Sequence, residues 1–214
     1  MRYKNRTFAG QILSKLLSEL KLENAVVLAL PNGGIPVGLE IAQELNINFD
    51  LLFVSKITPR FNSEVGYGSV SESGVINLNK KLIAMFGIKS KEVEEDIEKT
   101  KRKINQRIKK YKLKKRINLK DKTVILVDDG IASGYTMINA IDTAKKRKAK
   151  EIIIAIPTAP LSSYNKLLNY TDQIICPDIR DVYPFAVADA YENWYDISLE
   201  KSIKFLNDYG YILN

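Results

Sequence analysis

Histidine is absent from this 214-residue chain, and cysteine occurs once, at Cys176. The first absence excludes Ser-His-Asp hydrolysis, Cys-His chemistry and histidine-based zinc sites. The second excludes an internal disulfide. Long apolar runs are missing as well: stretches such as Ala25 to Leu30 and Ile152 to Ile156 are far too short to cross a bilayer. No basic segment followed by a long apolar stretch opens the chain, so secretion is not expected and a cytoplasmic location is. The phosphate-loop pattern G-x-x-x-x-G-K-S/T does not occur, which leaves a nucleotide triphosphatase unsupported. Any catalysis must run on carboxylates, lysines, hydroxyls and backbone amides, alone or with a hard cation.

What is present suits one soluble domain spanning residues 1–214. Hydrophobic residues make up 45% and charged residues 27% of the chain, enough apolar surface for a core and too much for a disordered protein. The net charge of +8 suggests nucleic acid until its location is considered. Eleven of the 33 basic residues lie between Lys99 and Arg116 with no acid among them, so the rest of the chain is net acidic. Glu92, Glu94, Glu95, Asp96 and Glu98 precede that run. Acids first and bases last complement a helix dipole, so Lys99 to Arg116 reads as the second half of a long helix. Val93, Ile97, Ile104, Ile108 and Tyr111 form its apolar stripe. A solvated outer face is preferred over an RNA-binding helix for the charged side, although it could steer anionic ligands.

Helical and strand patterns alternate along the chain. Phe8 to Leu22 has a helical apolar face. Val26 to Leu30 reads as a strand buried on both sides, ending in Pro31-Asn32-Gly33-Gly34 before a helix from Pro36 to Leu45. Leu51 to Ile57 reads as one strand, and Thr58 to Gly74 as a long loop or loose hairpin of the kind that is usually functional. Further on, Thr123 to Val127, Glu151 to Ile156 and Gln173 to Cys176 read as strands, with helices at Tyr135 to Arg147 and Leu161 to Leu168. The order implies an α/β domain of parallel strands. Ligands then bind beyond the carboxyl ends of the strands, where segments 31–34, 58–74 and 128–136 emerge.

The last of these is the most informative. Val124-Ile-Leu-Val-Asp128-Asp129-Gly130-Ile131-Ala132-Ser133-Gly134-Tyr135-Thr136 delivers two acids at a strand end, then a turn of small and hydroxyl residues at a helix N-terminus. Unpaired amides and the helix dipole suit a phosphate dianion, and Ser133 and Thr136 add hydroxyls. Two carboxylates repel phosphate and suit instead vicinal hydroxyls or a hydrated Mg²⁺ carried by the substrate. The bland alternative is a strand whose acids cap the next helix. A metal-binding carboxylate or a phospho-acceptor aspartate is also conceivable from the acids alone. The joint pattern is far more specific than its parts.

Val124 to Thr136 resembles the 5-phosphoribosyl-1-pyrophosphate (PRPP) signature of type I phosphoribosyltransferases. Leu30 to Val37 resembles their pyrophosphate loop, Phe53-Val-Ser-Lys56-Ile the start of their flexible catalytic loop, and the tail around Phe185 to Tyr191 matches a prokaryotic group of that family whose acceptor base is not settled. The resemblance covers nearly the whole chain. It implies a three-layer α/β sandwich with a mainly parallel central sheet and a small C-terminal hood formed mainly by residues 171–200. It also implies that Asp128 and Asp129 hold the ribose hydroxyls, that Gly130 to Thr136 cradle the 5′-phosphate, and that Asn32, Gly33 and Gly34 offer amides to a pyrophosphate carrying Mg²⁺. A homodimer is the expected assembly, with PRPP and a nitrogenous base as the partners and nucleic acid and membrane not expected. Where Asn32 stands, that group usually has arginine or another basic residue; Lys56 or Arg60 is the expected substitute cation.

Lys56 closes an apolar strand on the sheet edge that carries the phosphate turn; a plain solvent-facing lysine is the commoner reading, and a pyrophosphate contact is slightly favoured. If 58–74 is a lid, Glu64 assists at the base and Tyr67 shields the reacting carbon; a surface hairpin explains the composition almost as well. Tyr183, Phe185, Tyr191, Trp194 and Tyr195 are read mostly as packing, with Phe185 the candidate for stacking on a base. Asp189 then reads the base edge or caps a helix, and Cys176 is a small buried hydrophobe. The function expected is transfer of the 5-phosphoribosyl group from PRPP to a base, a purine being favoured. Alternatives are a PRPP-sensing regulator or nucleic-acid-binding protein with weak or no turnover, and a PRPP-binding hydrolase or scaffold.

Overall fold

The computed structural model describes residues 1–62, 65–113 and 116–211. The chain opens with helix α1 (Arg6–Leu17), whose N-cap Asn5 accepts a hydrogen bond from the Phe8 amide. Strand β1 (Ala25–Ala29), helix α2 (Gly34–Glu44) and strand β2 (Asn48–Leu51) follow. Next comes an antiparallel meander of β3 (Val54–Ile57), β4 (Gly68–Ser71) and β5 (Ile76–Leu78). The apolar run Leu51 to Ile57, expected as one strand, is therefore two strands in different sheets. Leu51 to Val54 are all buried, so hydrophobicity alone gives no break between the two. Among the described residues of segment 58–74, Gly68 to Ser71 pair with β3 and β5, as the hairpin alternative expects.

Helix α3 (Lys80–Met85) leads to the long α4 (Ser90–Tyr111), which ends where Lys112 turns left-handed at φ 47°. The basic helix thus stops at Tyr111, short of the expected Arg116. Ile97 and Ile108 pack against the core and Val93, Ile104 and Tyr111 are buried, so the apolar stripe is as expected. Strand β6 (Thr123–Val127), helix α5 (Tyr135–Lys146), β7 (Glu151–Ala155), β8 (Thr158–Pro160), α6 (Leu161–Leu167), β9 (Gln173–Ile175), β10 (Asp178–Arg180), a short 3₁₀ turn (Val187–Ala190) and α7 (Leu199–Asp208) complete the chain.

The central sheet has the order β2-β1-β6-β7-β9, with all neighbouring pairs parallel. Val27, Ala29, Ile125, Val127, Ile153 and Ala155 enter one core with α2, α4 and α7. Val26, Leu28, Val124, Leu126, Ile152 and Ile154 enter the other with α5. Burial on both faces is why these strands are continuous apolar runs, and it makes the fold a three-layer α/β sandwich. Among the described residues no helix is long and apolar enough to cross a membrane.

The hood is tied to the N-terminus. Tyr3 bridges Tyr191, the N-terminal amine pairs with Asp178 at 2.8 Å, and Tyr3 Oη donates to the Pro157 carbonyl. Residues 1–6 therefore belong to the same cap as the tail. Cys176 is half-buried, with burial pushing its thiol up to about 12, so it is an inert side chain at neutral pH.

Candidate active site

Strand β6 ends at Val127, and Asp128 and Asp129 emerge at the middle of the sheet's carboxyl edge. The Asp129 amide donates to Asp128 Oδ1 at 2.9 Å. Burial pushes both carboxyls up, and for Asp128 the neighbouring Asp129 charge adds to the rise. On Asp129 the Arg6 guanidinium opposes it: Nε lies 2.8 Å and Nη2 2.7 Å from Oδ2. Arg6 is itself buried, gives Nη1 to the Tyr195 carbonyl, and lies 4.0 Å over the Trp194 ring. Tyr191 Oη donates to the Asp129 carbonyl at 2.6 Å. The tail aromatics thus pack a cation onto the acid pair.

Beyond the acids, Gly134 caps α5 in the left-handed region at φ 78°, which suits glycine. Ser163 Oγ donates to the Ala132 carbonyl at 2.6 Å and Lys166 Nζ to the Ser133 carbonyl at 3.0 Å. Those carbonyls are tied to α6 and its flank, while the amides of residues 132–136 make no hydrogen bond among the described residues. Ile131 is different: its amide is spent on the Thr158 carbonyl, so it supplies packing and not a donor. The cleft over this turn has a volume of about 160 Å³ and is lined by Lys56, Asp128, Ser133, Thr136 and Val187 among others. Lys56 lines this cleft from β3 of the antiparallel meander, not from the edge of the central sheet as its position in the sequence suggests. From the hood it is Val187, and not Phe185, that reaches the cleft; Phe185 is half-buried two residues away. Asp189 is exposed in the 3₁₀ turn.

The loop at 31–34 abuts the acids. A methyl group on Gly33 would lie 2.1 Å from Asp129 Oδ2, and one on Gly34 would lie 2.6 Å from the Val127 carbonyl. Gly34 donates its amide to Leu30, so of the three amides expected to face pyrophosphate only those of Asn32 and Gly33 are unspent among the described residues. The Pro31–Asn32 peptide is cis. The Asn32 side chain is engaged at both ends: Nδ2 donates to the Ile197 carbonyl, while Oδ1 accepts from Arg107 Nη2 and Tyr111 Oη.

Two expectations fail in the hairpin. Tyr67 is fully buried and donates its hydroxyl to Asp96 Oδ2, so it cannot shield a reacting carbon. Arg60 pairs with Glu95 and lies 3.8 Å from Asp96, which removes it as the substitute cation near Asn32. Glu64 lies outside the described residues. The hairpin is bolted to α5, since Asn139 Nδ2 donates to the Ser69 and Val75 carbonyls and to Asn77 Oδ1. Tyr135 lines a neighbouring cavity of about 380 Å³ with Lys56, Ser69, Asn77 and Asn79.

Sequence reasoning passed over Arg6, Arg107 and Val187. Arg6 did leave a trace, since a cation in the first helical turn opposes the dipole unless an anion faces it.

The phosphoribosyl transferase domain model matches residues 4–190. Two curated proteins of Mycobacterium tuberculosis, from strains CDC 1551 / Oshkosh and ATCC 25618 / H37Rv, each carry the name "Putative phosphoribosyl transferase"; they are 29% identical over 214 residues, covering 96% of this chain and 46% of theirs. The chain spans about half the length of the curated relatives it matches. The crystal structure of TT1426 from Thermus thermophilus superposes with a TM-score of 0.82 at 26% identity, covering 98% of this chain and 99% of that one.

Proposed function

The chain belongs to the phosphoribosyl transferase domain family, and from that premise we propose that it moves the 5-phosphoribosyl group of PRPP to a nitrogenous base, a purine, and releases pyrophosphate. One observation carries the reading: unspent turn amides, two carboxylates and the Asn32-Gly33 amides meet at one strand edge. A phosphate dianion suits the amides of Ala132 to Thr136 and the α5 dipole. Ribose hydroxyls, which donate, suit Asp128 and Asp129. Pyrophosphate suits the 31–34 loop, which abuts the acids, and Lys56 lines the cleft over the turn.

Displacement at the anomeric carbon builds positive charge on the sugar and negative charge on the leaving group. Fixed donors already aimed at the leaving group stabilise the latter without a general base. Among the described residues no three acids or cysteines converge on a metal site. The donor set fits Mg²⁺ carried by the substrate and met by Asp128 through water, because this ion keeps part of its hydration shell. Bound there it would neutralise charge on pyrophosphate. The purine preference rests on family analogy, because Tyr191, Trp194 and Tyr195 pack around Arg6 and Val187, not Phe185, lines the cleft.

A second reading is favoured by the Arg6–Asp129 pair: a PRPP-sensing regulator whose acids are partly committed, with turnover weak or lost. Incubating the protein with PRPP, Mg²⁺ and a panel of bases, and identifying products by mass, separates the two. A nucleotide from one purine is expected. PRPP binding by calorimetry with no product from any base would favour the sensor, and absence of PRPP binding would end both.

A further inference from the structure

Arginines withdrawn from solvent need an anion, because a buried cation without one is costly. Among the described residues Arg6 has Asp129, Arg116 has Asp50 and Glu72, Arg147 has Glu72, and Arg180 has Asp178. Arg107 stands apart. It is half-buried, makes no ion pair among the described residues, and its hydrogen bond goes to the neutral Asn32 Oδ1 at 2.5 Å. The guanidinium lies 6.0 Å from the Phe53 ring centroid. One Nη2–H is used; the rest of a five-donor fork is left for a ligand.

Position strengthens the case. Lys99, Lys103 and Arg107 fall at intervals of four on α4, so they share one face. Lys99 and Lys103 line a cleft of about 300 Å³ together with Lys56, Ser55, Thr58, Thr100 and Asp96. Asp96, the acid in that cleft, is engaged by Tyr67 and Arg60. The stripe runs from this cleft to the loop whose Asn32 and Gly33 amides are unspent. The charge expected at position 32 is thus missing from the loop but present one side chain away.

We infer that Arg107, delivered by α4 and held against Asn32, is the cation that receives the pyrophosphate end of PRPP, with Lys103 and Lys99 drawing the anion along the helix. This rests on the PRPP reading above and names the residue that serves its leaving group. Arginine suits the task because its planar fork meets two phosphate oxygens at once.

The test is calorimetric titration of the intact chain with magnesium pyrophosphate and, separately, with ribose 5-phosphate. Arg107→Gln keeps a donor for Asn32 Oδ1 and removes the charge; it is expected to weaken pyrophosphate binding roughly ten- to hundredfold and leave ribose 5-phosphate within about twofold. Placing the charge back on the loop, as Asn32→Arg in the Arg107→Gln background, is expected to restore most of the pyrophosphate affinity. A merely structural role predicts equal losses for both ligands and no rescue. Pyrophosphate affinity unchanged in Arg107→Gln, with ribose 5-phosphate still bound, overturns this assignment alone. Failure of the unaltered chain to bind ribose 5-phosphate overturns the PRPP reading and this inference with it.

Discussion

Asp128→Asn is expected to abolish ribose 5-phosphate binding without lowering stability, whereas Asp129→Asn is expected to lose both. The two acids are adjacent in sequence and opposite in circumstance. Asp128 has no cation bonded to it among the described residues; burial and the Asp129 charge hold its carboxyl well above the ordinary range. Asparagine resembles its protonated form and can still accept the Asp129 amide through Oδ1. Removing that acid therefore removes a buried charge that folding disfavours, while hydroxyls lose a charged acceptor. A loss of about a hundredfold or more in affinity follows if two such bonds are made.

Asp129 is the anion for a guanidinium that is almost wholly buried. Taking away one partner of a buried pair costs about 3–5 kcal/mol, because the other charge stays behind. Urea unfolding at pH 7 measures it; an Asp129→Asn midpoint equal to that of the unaltered chain would show that Arg6 does not depend on the acid. The pH dependence supplies a second check. A carboxyl whose folded pKa is raised binds its proton more tightly in the native state. Its contribution to stability is full below the ordinary carboxylate range and fades as pH rises through the folded value. Asp128→Asn should flatten that decline.

The distribution of these residues explains what the sequence could and could not disclose. Strands β1, β6 and β7 were legible because burial on both faces makes each a nearly continuous apolar run; β2 was not, because Asn48 and Asp50 interrupt its apolar pattern. The acidic pair and its turn were legible because a helix N-terminus, two acids and a glycine cap are contiguous in the chain. Arg6 and Asp129 are 123 residues apart, and no local pattern joins them. Arg107 was concealed differently: it stands in a run of eleven basic residues, and nothing in the composition separates Arg107 and Arg116, which turn inward, from exposed neighbours such as Lys99, Arg102 and Lys103. The helix end at Tyr111 carries no glycine or proline to mark it, and Lys112 takes the left-handed turn instead. Tyr67 read as a lid residue because its loop is glycine-rich; its hydrogen-bond partner Asp96 lies 29 residues on, and no local pattern joins the two.

Gly33→Ala is expected to be as damaging as loss of the acids, although alanine is allowed by the backbone there. Gly33 has φ −60° and ψ −39°, an ordinary helical conformation, so the glycine is not needed for its torsional freedom. It is needed for what lies opposite: the added methyl would sit 2.1 Å from Asp129 Oδ2 and 2.4 Å from its Cγ. A flexible side chain would swing aside. Asp129 cannot do so cheaply, because Oδ2 takes two donors from Arg6 and Arg6 is fixed by the Tyr195 carbonyl and the Trp194 ring. Either the loop retreats, carrying the Asn32 and Gly33 amides away from the cleft, or the buried ion pair breaks. Overpacking of this kind costs about 1–3 kcal/mol, and both routes disassemble the site, so binding of ribose 5-phosphate and of pyrophosphate should fall together. Gly74→Ala is the control. Its φ of 73° costs alanine about 1–2 kcal/mol, yet nothing lies within 4 Å of the new methyl. Comparable destabilisation with unchanged affinity is expected there. Equal affinities in the two variants would mean that the close approach of loop and acid has no part in the site.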